Sequence, residues 1–253
     1  PGRGWRALQD TNNHNLLGYR TSNPYTSWMR GTGDYYREAL LVWLDADTLI
    51  REATRDRKSL DDFAKSFFGG DDGSYAPRGY VFEDVVSHLN AVHPHDWASF
   101  LRERLDAVGP DAKAPLDGLA RAGYRLTYTD ALTEAEKKIQ TGWRTDFQYS
   151  LGFTLGTNNR INGIRWGGLA FEAEIGPGWE LVAINDTAAT ADKLREAVTA
   201  NKDGSAPIRL LMKRADQYRT VEFTYTGGLR YPRLERIEGT RDRLTEILSP
   251  RRR

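Results

Sequence analysis

The sequence lacks cysteine altogether and has only four histidines among its 253 residues. The absence of cysteine excludes disulfides, thiolate zinc sites and cysteine nucleophiles, and the shortage of histidine leaves few imidazoles for base or metal chemistry. No apolar run approaches the roughly 20 residues that a membrane-spanning helix needs, so no membrane span is expected. Lys and Arg total 36 against 35 Asp and Glu, and a formal net charge of +1 supplies no overall field to attract nucleic acid.

What is present is typical of a folded protein. Hydrophobic residues make up 39% of the chain, aromatic residues 11% and charged residues 28%, which excludes wholesale disorder. The length suits one large domain or two ordinary ones. The terminal Arg251-Arg252-Arg253 is interpreted as a solvated tail, and no nucleic-acid partner is expected.

The common catalytic motifs are missing. The sequence has no H-E-x-x-H, no G-x-S-x-G and no P-loop. His93-Pro94-His95 is interpreted as a surface turn before a helix, and the glycine-rich run at 69–73 as an ordinary turn, because it lacks the spacing of a calcium loop. We therefore expect no metal site within this chain.

Apolar residues between 32 and 123 recur every three to four positions, which predicts a bundle of amphipathic helices. Asp34 is the expected N-cap of the first long helix. Ser59 and Asp62 form a capping-box pattern for the next helix, which is expected to end at Gly69-Gly70. One face of the first long helix is expected to carry Tyr36, Leu40, Trp43, Leu44 and Ile50.

The spacing of apolar residues changes to two after residue 124, which predicts short strands. A helix is predicted at 191–199, with Leu194 and Val198 facing inward. The fold class is therefore α+β: a helical bundle followed by a small, partly open β-barrel domain. Strands are predicted at 125–129, 152–155, 160–164, 180–184, 208–213 and 220–225. We assign the domains as helical (1–123), linker (124–140), barrel (141–230) and a tail with a short helix (231–253).

Within the second half, Leu151-Gly152-Phe153 precedes a strand, and the run from Gly176 to Asp186 follows it. This arrangement resembles a PDZ domain, although Ser150 replaces the first glycine of the usual loop and Trp179 stands where Asp is usual. The resemblance implies that backbone N–H groups of the loop capture the terminal carboxylate of a peptide, while the next strand pairs with the peptide.

The same resemblance assigns peptide-binding roles and partners. Leu151, Gly152 and Phe153 match the carboxylate-binding loop, and Leu194 and Val198 match the helix that forms the other wall of the groove. The implied partners are peptides or protein C-termini. The alternative is a PDZ-shaped module that only packs against its neighbour.

Nearly all of the chain then resembles a known family, through segments 34–45 and 58–63 in the first half and 227–232 near the end. They are similar to the region downstream of the zinc site in the glycyl aminopeptidase family of gluzincin metallopeptidases. Those enzymes join a zinc-binding catalytic domain to helices and then to a PDZ domain. The resemblance implies a parent protein that is periplasmic or secreted and that removes N-terminal Gly or Ala from peptides.

In that family, an H-E-x-x-H helix and a later Glu bind zinc, and a tyrosine supports the tetrahedral intermediate. Tyr36 matches this tyrosine, Tyr35 is the competing assignment, and the alternative is that Tyr36 only packs on its helix. The zinc ligands are not in this chain, which begins at Pro1. The chain is therefore expected to be a fragment, inactive alone, that needs an upstream catalytic domain with zinc. The competing hypothesis is a free-standing PDZ-type module.

Overall fold

The computed structural model describes residues 2–18, 34–71, 73–140 and 144–250. It contains both helices and sheets, which confirms the α+β class. The chain forms two compact units. We call them the helical unit, which is chiefly Gly33–Leu126 with Ala7–Leu16 and Leu234–Arg253, and the strand unit, which is chiefly Thr127–Arg233. No helix among the described residues is long and apolar enough to cross a membrane.

The elements are numbered along the chain. The helices are α1 (Leu8–Gly18), α2 (Asp34–Thr54), α3 (Leu60–Phe68), α4 (Phe82–Val92), α5 (Trp97–Asp106), α6 (Asp117–Arg121), α7 (Glu134–Gln140), α8 (Leu169–Glu172), α9 (Ala191–Ala200) and α10 (Arg243–Leu248). The strands are β1 (Tyr124–Thr129), β2 (Thr145–Phe147), β3 (Phe153–Leu155), β4 (Ile161–Ile164), β5 (Glu180–Ile184), β6 (Thr187–Ala188), β7 (Ile208–Arg214), β8 (Gln217–Phe223) and β9 (Tyr231–Arg236).

The start and end of α3 confirm the sequence prediction. The Ser59 side chain caps the first turn, and the Ser59 backbone N–H donates to the Asp62 carboxylate at 2.9 Å. The helix stops at Phe68, with Gly69 as its cap. A Cβ at Gly69 would lie 2.6 Å from the Lys65 carbonyl oxygen, so glycine is required there by space. The Asp34 cap is not tested, because the Asp34 side chain lies outside the described residues.

The predicted face of α2 is confirmed at Ile50 but is wrong at Tyr36 and Leu40. The helix buries Val42, Ala46 and Ile50, whereas Tyr36 is 69% exposed and Leu40 is 71% exposed. At 3.6 residues per turn, Tyr36 and Leu40 lie about 120° and 160° around the helix from Val42. Apolar periodicity missed this face because α2 also buries polar residues, namely Asp45, Asp47 and Thr48.

Those buried polar residues hold the helical unit together. The Asp45 carboxylate accepts a hydrogen bond from Arg104 Nε at 2.6 Å and another from Arg121. Asp47 accepts from Arg51 and from the Leu60 backbone N–H, which ties α2 to the start of α3. Helix α6 packs so closely on α2 that a Cβ at Gly118 would lie 2.6 Å from Asp45 Cα.

The strand unit contains two antiparallel sheets around one hydrophobic core. Strand β3 lies at the centre of a three-stranded sheet, β2-β3-β4, and pairs with both neighbours. The second sheet has the order β6-β5-β7-β8. Strands β1 and β9 form a separate pair.

The sequence predicts a partly open barrel, and among the described residues the two sheets of the strand unit do not close into a barrel. Strands β2, β3 and β4 have only three or four residues each. Few backbone groups are therefore available for hydrogen bonds that would join this sheet to the other. A single isolated bridge, between Arg160 and Glu180, joins the two sheets. The domain boundaries stay a prediction. The segment expected to be a linker, 124–140, carries β1 and α7, and the expected tail, 231–253, carries β9 and α10.

Candidate functional site

The structure brings the predicted peptide-binding side chains together inside the strand unit. Leu151 and Phe153 flank the start of β3, and Leu194 and Val198 lie on α9. All four side chains are fully buried in one hydrophobic cluster. Their burial confirms the predicted inward face of α9, and it assigns these four side chains to the core of the unit.

The loop before β3 is closed by its own hydrogen bonds. The backbone N–H groups of Ser150, Leu151 and Gly152 all donate to the carbonyl oxygen of Phe147, at 3.1, 2.9 and 3.0 Å. Gly152 has a φ of +89°, and a Cβ there would lie 3.2 Å from Leu169 N, so both conformation and space favour glycine. The amides at 150–152 are therefore already bonded within the loop.

Strand pairing adds a second constraint on peptide binding at this place. Pairing of an added strand requires an edge strand with unpaired backbone groups. In this structure β2 pairs along β3 from Thr145–Leu155 to Phe147–Phe153, and β4 pairs on the other side. A peptide would have to displace β2 to pair with β3. Peptide binding by this loop stays a prediction that requires such a rearrangement.

A cavity of about 630 Å³ lies between the end of β3, the last turn of α7 and the first turn of α9. Arg195 lines it, donating to Asp192 at 2.5 Å, while its buried Nε has no hydrogen-bond partner among the described residues. On β2, burial raises the pKa of the Asp146 carboxyl, although its hydrogen bond from Gln148 N opposes the shift. The cavity lining includes Lys137 and Arg144, so its walls are rich in cations.

Tyr36, the predicted oxyanion-stabilising residue, lies on the first turn of α2. Its ring packs against the ring of Tyr35 with the centroids 4.3 Å apart. Tyr35 is half-buried against the core of the helical unit, whereas Tyr36 is largely exposed. Of the two tyrosines, Tyr36 therefore offers the more accessible side chain. Its role in catalysis and the alternative that it only packs on its helix both stay predictions.

The histidines in the helical unit do not converge. His88 Nδ1 lies 2.9 Å from the Ser66 hydroxyl, and the His95 ring packs edge-on against Trp97. His93 ends α4, with its backbone N–H donating to the Leu89 carbonyl. Among the described residues, no three His, Cys, Asp or Glu side chains come together as metal ligands. The described residues therefore do not fit a zinc ion.

Sequence reasoning missed the ion cluster that surrounds Asp45. Burial lowers the pKa of both the Arg104 and the Arg121 guanidinium, and the ring of Phe100 covers the Arg104 guanidinium at 3.5 Å. The available signal was two carboxylates, Asp45 and Asp47, inside the most apolar part of α2. The arginine partners lie 59 and 76 residues further along the chain, so spacing alone could not identify them.

Comparison with known proteins identifies a related fold. No family model matches the sequence, and no curated protein sequence matches it. Among solved structures, the chain is similar to an aminopeptidase N family protein from Idiomarina loihiensis, with a TM-score of 0.58 and 15% sequence identity. The match covers 96% of this chain and 44% of that protein, so the chain spans less than half the length of its structural relative. The likeness establishes that almost the whole of this chain has a fold found in an aminopeptidase N family protein.

Proposed function

We propose that this chain is the C-terminal part of a zinc-dependent aminopeptidase that removes N-terminal Gly or Ala from peptides. The observation that carries the proposal is the fold likeness over 96% of the chain to a protein of the aminopeptidase N family. The three sequence segments that resemble the glycyl aminopeptidase family support the same conclusion. A helical part followed by a strand-rich part is also the order that this resemblance implies.

In this proposal, residues outside the chain bind the zinc ion. The bound metal would supply Lewis-acid activation of the attacking water. The helical unit contributes a wall of the substrate cleft, and the Tyr36 phenol donates a hydrogen bond to the oxyanion that develops on the scissile carbonyl. In a site with little water, such a donor stabilises the transition state by about 3 kcal/mol.

The first test compares this chain with a protein extended upstream in the same gene. Turnover of glycyl- and alanyl-p-nitroanilide is measured for both, and bound zinc is quantified on the same samples. We expect neither zinc nor turnover in the chain alone, and chelator-sensitive turnover in the extended protein. An extended protein that binds zinc without hydrolysing either substrate would refute the proposal, as would zinc-dependent turnover by the chain alone.

The role of Tyr36 is tested by Tyr36→Phe in the extended protein. We expect kcat to fall by about 10²–10³-fold with little change in KM, because the hydroxyl acts only in the transition state. Tyr35→Phe is the matched control, since it removes the same atom from the adjacent ring, and its kcat should change by less than about threefold. An unchanged kcat in Tyr36→Phe would reject the assigned role, and a large loss only in Tyr35→Phe would transfer that role to Tyr35.

A further inference from the structure

A second cavity, of about 440 Å³, opens beside the loop that precedes β3. All of its lining residues belong to the strand unit. Its volume falls within the roughly 300–1,000 Å³ of sites that bind small molecules. The side chains that give it chemical character are those of Tyr149, Ser150, Arg165, Tyr225 and Arg230. We call it the arginine cavity.

The guanidinium groups of Arg165 and Arg230 bring two positive charges to the lining of the cavity. Neither makes an ion pair with any described residue, whereas Arg209 and Arg219 of the same unit each pair with a carboxylate. The Nε atom of Arg165 is buried and has no hydrogen-bond partner among the described residues. Glu172 also lines the cavity, so its side chains sum to a charge of about +1.

Aromatic rings position both guanidinium groups. Arg230 lies over the Tyr128 ring at 4.5 Å, and Arg165 lies 5.8 Å from the centre of the Tyr149 ring. The Arg230 backbone N–H donates to the Ser150 hydroxyl at 3.1 Å, which ties its chain segment to the loop. Rings hold a guanidinium in place without neutralising it, so both groups keep their capacity to bind an anion.

Phenol groups complete the lining. Burial raises the pKa of both Tyr149 and Tyr225, so both remain protonated at neutral pH. The Tyr225 hydroxyl donates to the Gly228 carbonyl at 2.9 Å, so its proton is not available for a hydrogen bond to a ligand. The Tyr149 hydroxyl makes no hydrogen bond with a described residue and is a third donor beside the two guanidinium groups.

We propose that the arginine cavity binds a small molecule through an oxyanion group, a carboxylate or a phosphate, held by Arg165 and Arg230. A guanidinium presents paired N–H donors that match the geometry of both groups. The rest of the lining is about half apolar and includes Tyr128 and Leu169. These side chains accommodate the uncharged part of the ligand. The site needs neither zinc nor residues outside this chain, so it stands apart from the proposed peptidase activity.

The test is calorimetric titration of the 253-residue chain with inorganic phosphate and, separately, with N-acetylglycine. We expect saturable binding of at least one of the two anions at one site per chain. Arg165→Gln and Arg230→Gln should each weaken that binding by about tenfold or more, because each removes a charge-assisted hydrogen bond. The anion that binds more tightly identifies the phosphate or the carboxylate as the natural group.

Arg160→Gln is the matched control. Arg160 is an exposed arginine of the strand unit that does not line the cavity, so its loss removes the same charge and should change affinity by less than about twofold. Tyr149→Phe removes one hydroxyl without a change of charge, and we expect it to weaken binding by roughly fivefold. It keeps the proposal testable if an arginine variant fails to fold. Absence of saturable binding for both anions, or binding that Arg160→Gln weakens as much as Arg165→Gln, would overturn the proposal.

Discussion

The carboxylate of Asp45 lies fully buried between the side chains of Arg104 and Arg121. Asp45→Asn keeps the shape of the side chain but removes the buried negative charge that lies between two half-buried guanidinium groups. We expect the free energy of unfolding to fall by about 3–5 kcal/mol, measured by urea denaturation at pH 7. Glu103→Gln is the control, because Glu103 is 75% exposed and only 4.0 Å from Arg104, and it should cost less than about 0.5 kcal/mol. Equal losses in the two variants would contradict this account.

A second prediction at the scale of residues concerns pH. A hydrogen bond from Arg233, at 2.7 Å, lowers the pKa of Glu136 from 4.5 to about 2. A depressed pKa means that the ionised carboxylate stabilises the fold above about pH 4.5 and that this stabilisation disappears as the pH falls towards 2. Glu136→Gln should therefore lower the free energy of unfolding by about 0.5–1 kcal/mol at pH 7, and the difference from the unmodified chain should shrink between pH 4.5 and pH 3.

The measurement for Glu136 is a series of urea titrations across that pH range. Glutamine keeps an oxygen that accepts from the Thr133 backbone N–H, so the cap of α7 is retained. Glu134→Gln, in the same helix but 83% exposed, is the matched control and should show a smaller difference with no such pH trend. A Glu136→Gln difference that stays constant from pH 7 to pH 3 would show that its charge does not stabilise the fold.

At the scale of elements, the close contact of α6 with α2 depends on one missing side chain. A Cβ at Gly118 would lie 2.6 Å from both Asp45 N and Asp45 Cα, which are backbone atoms that cannot rotate away. Gly118→Ala should therefore lower the free energy of unfolding by about 1–3 kcal/mol, although alanine is the better helix former. Gly79→Ala is the control, since nothing lies within 4 Å of its added Cβ. Thermal unfolding compares the two, and a neutral or stabilising Gly118→Ala would show that α6 can shift without cost.

At the scale of the whole molecule, the two hydrophobic clusters have no residue in common, and each belongs to one unit. Leu194 is fully buried in the strand unit, and Leu89 is fully buried in the helical unit. Leu194→Ala should destabilise its own unit by about 2–5 kcal/mol, seen as faster hydrogen exchange in β5, β7 and α9, with α2 unchanged. Leu89→Ala is the reciprocal control and should accelerate exchange in α4, on which Leu89 lies, and in the rest of the helical unit, with β5, β7 and α9 unchanged. Equal acceleration in both units by either variant would show that they unfold together.

How far the sequence predicts this protein depends on how local each feature is. The capping box of Ser59 and Asp62, the stop at Gly69 and the inward face of α9 were all predicted correctly, since each depends on residues within about one or two helical turns. The α2 face was predicted wrongly at Tyr36 and Leu40, because the buried face of a helix depends on which elements pack against it. How far the predicted, partly open barrel closes is not a local property either, because closure requires continuous pairing between strands that are distant in sequence.

The candidate sites also differ in how much of each one the sequence predicts. Sequence patterns located the loop at 150–153, but only the tertiary structure showed that its amides donate to Phe147 and that β3 is paired on both sides. The arginine cavity left no sequence signature, since Arg165 and Arg230 are 65 positions apart by their numbering and come together only through the fold.

The sequence by itself determined the helix caps, the change from helical to strand periodicity, and the α+β class, because short-range sterics and hydrogen bonds set them. The tertiary structure decided which faces are buried and which charges remain without a partner, because both depend on chain segments that meet only in the folded state.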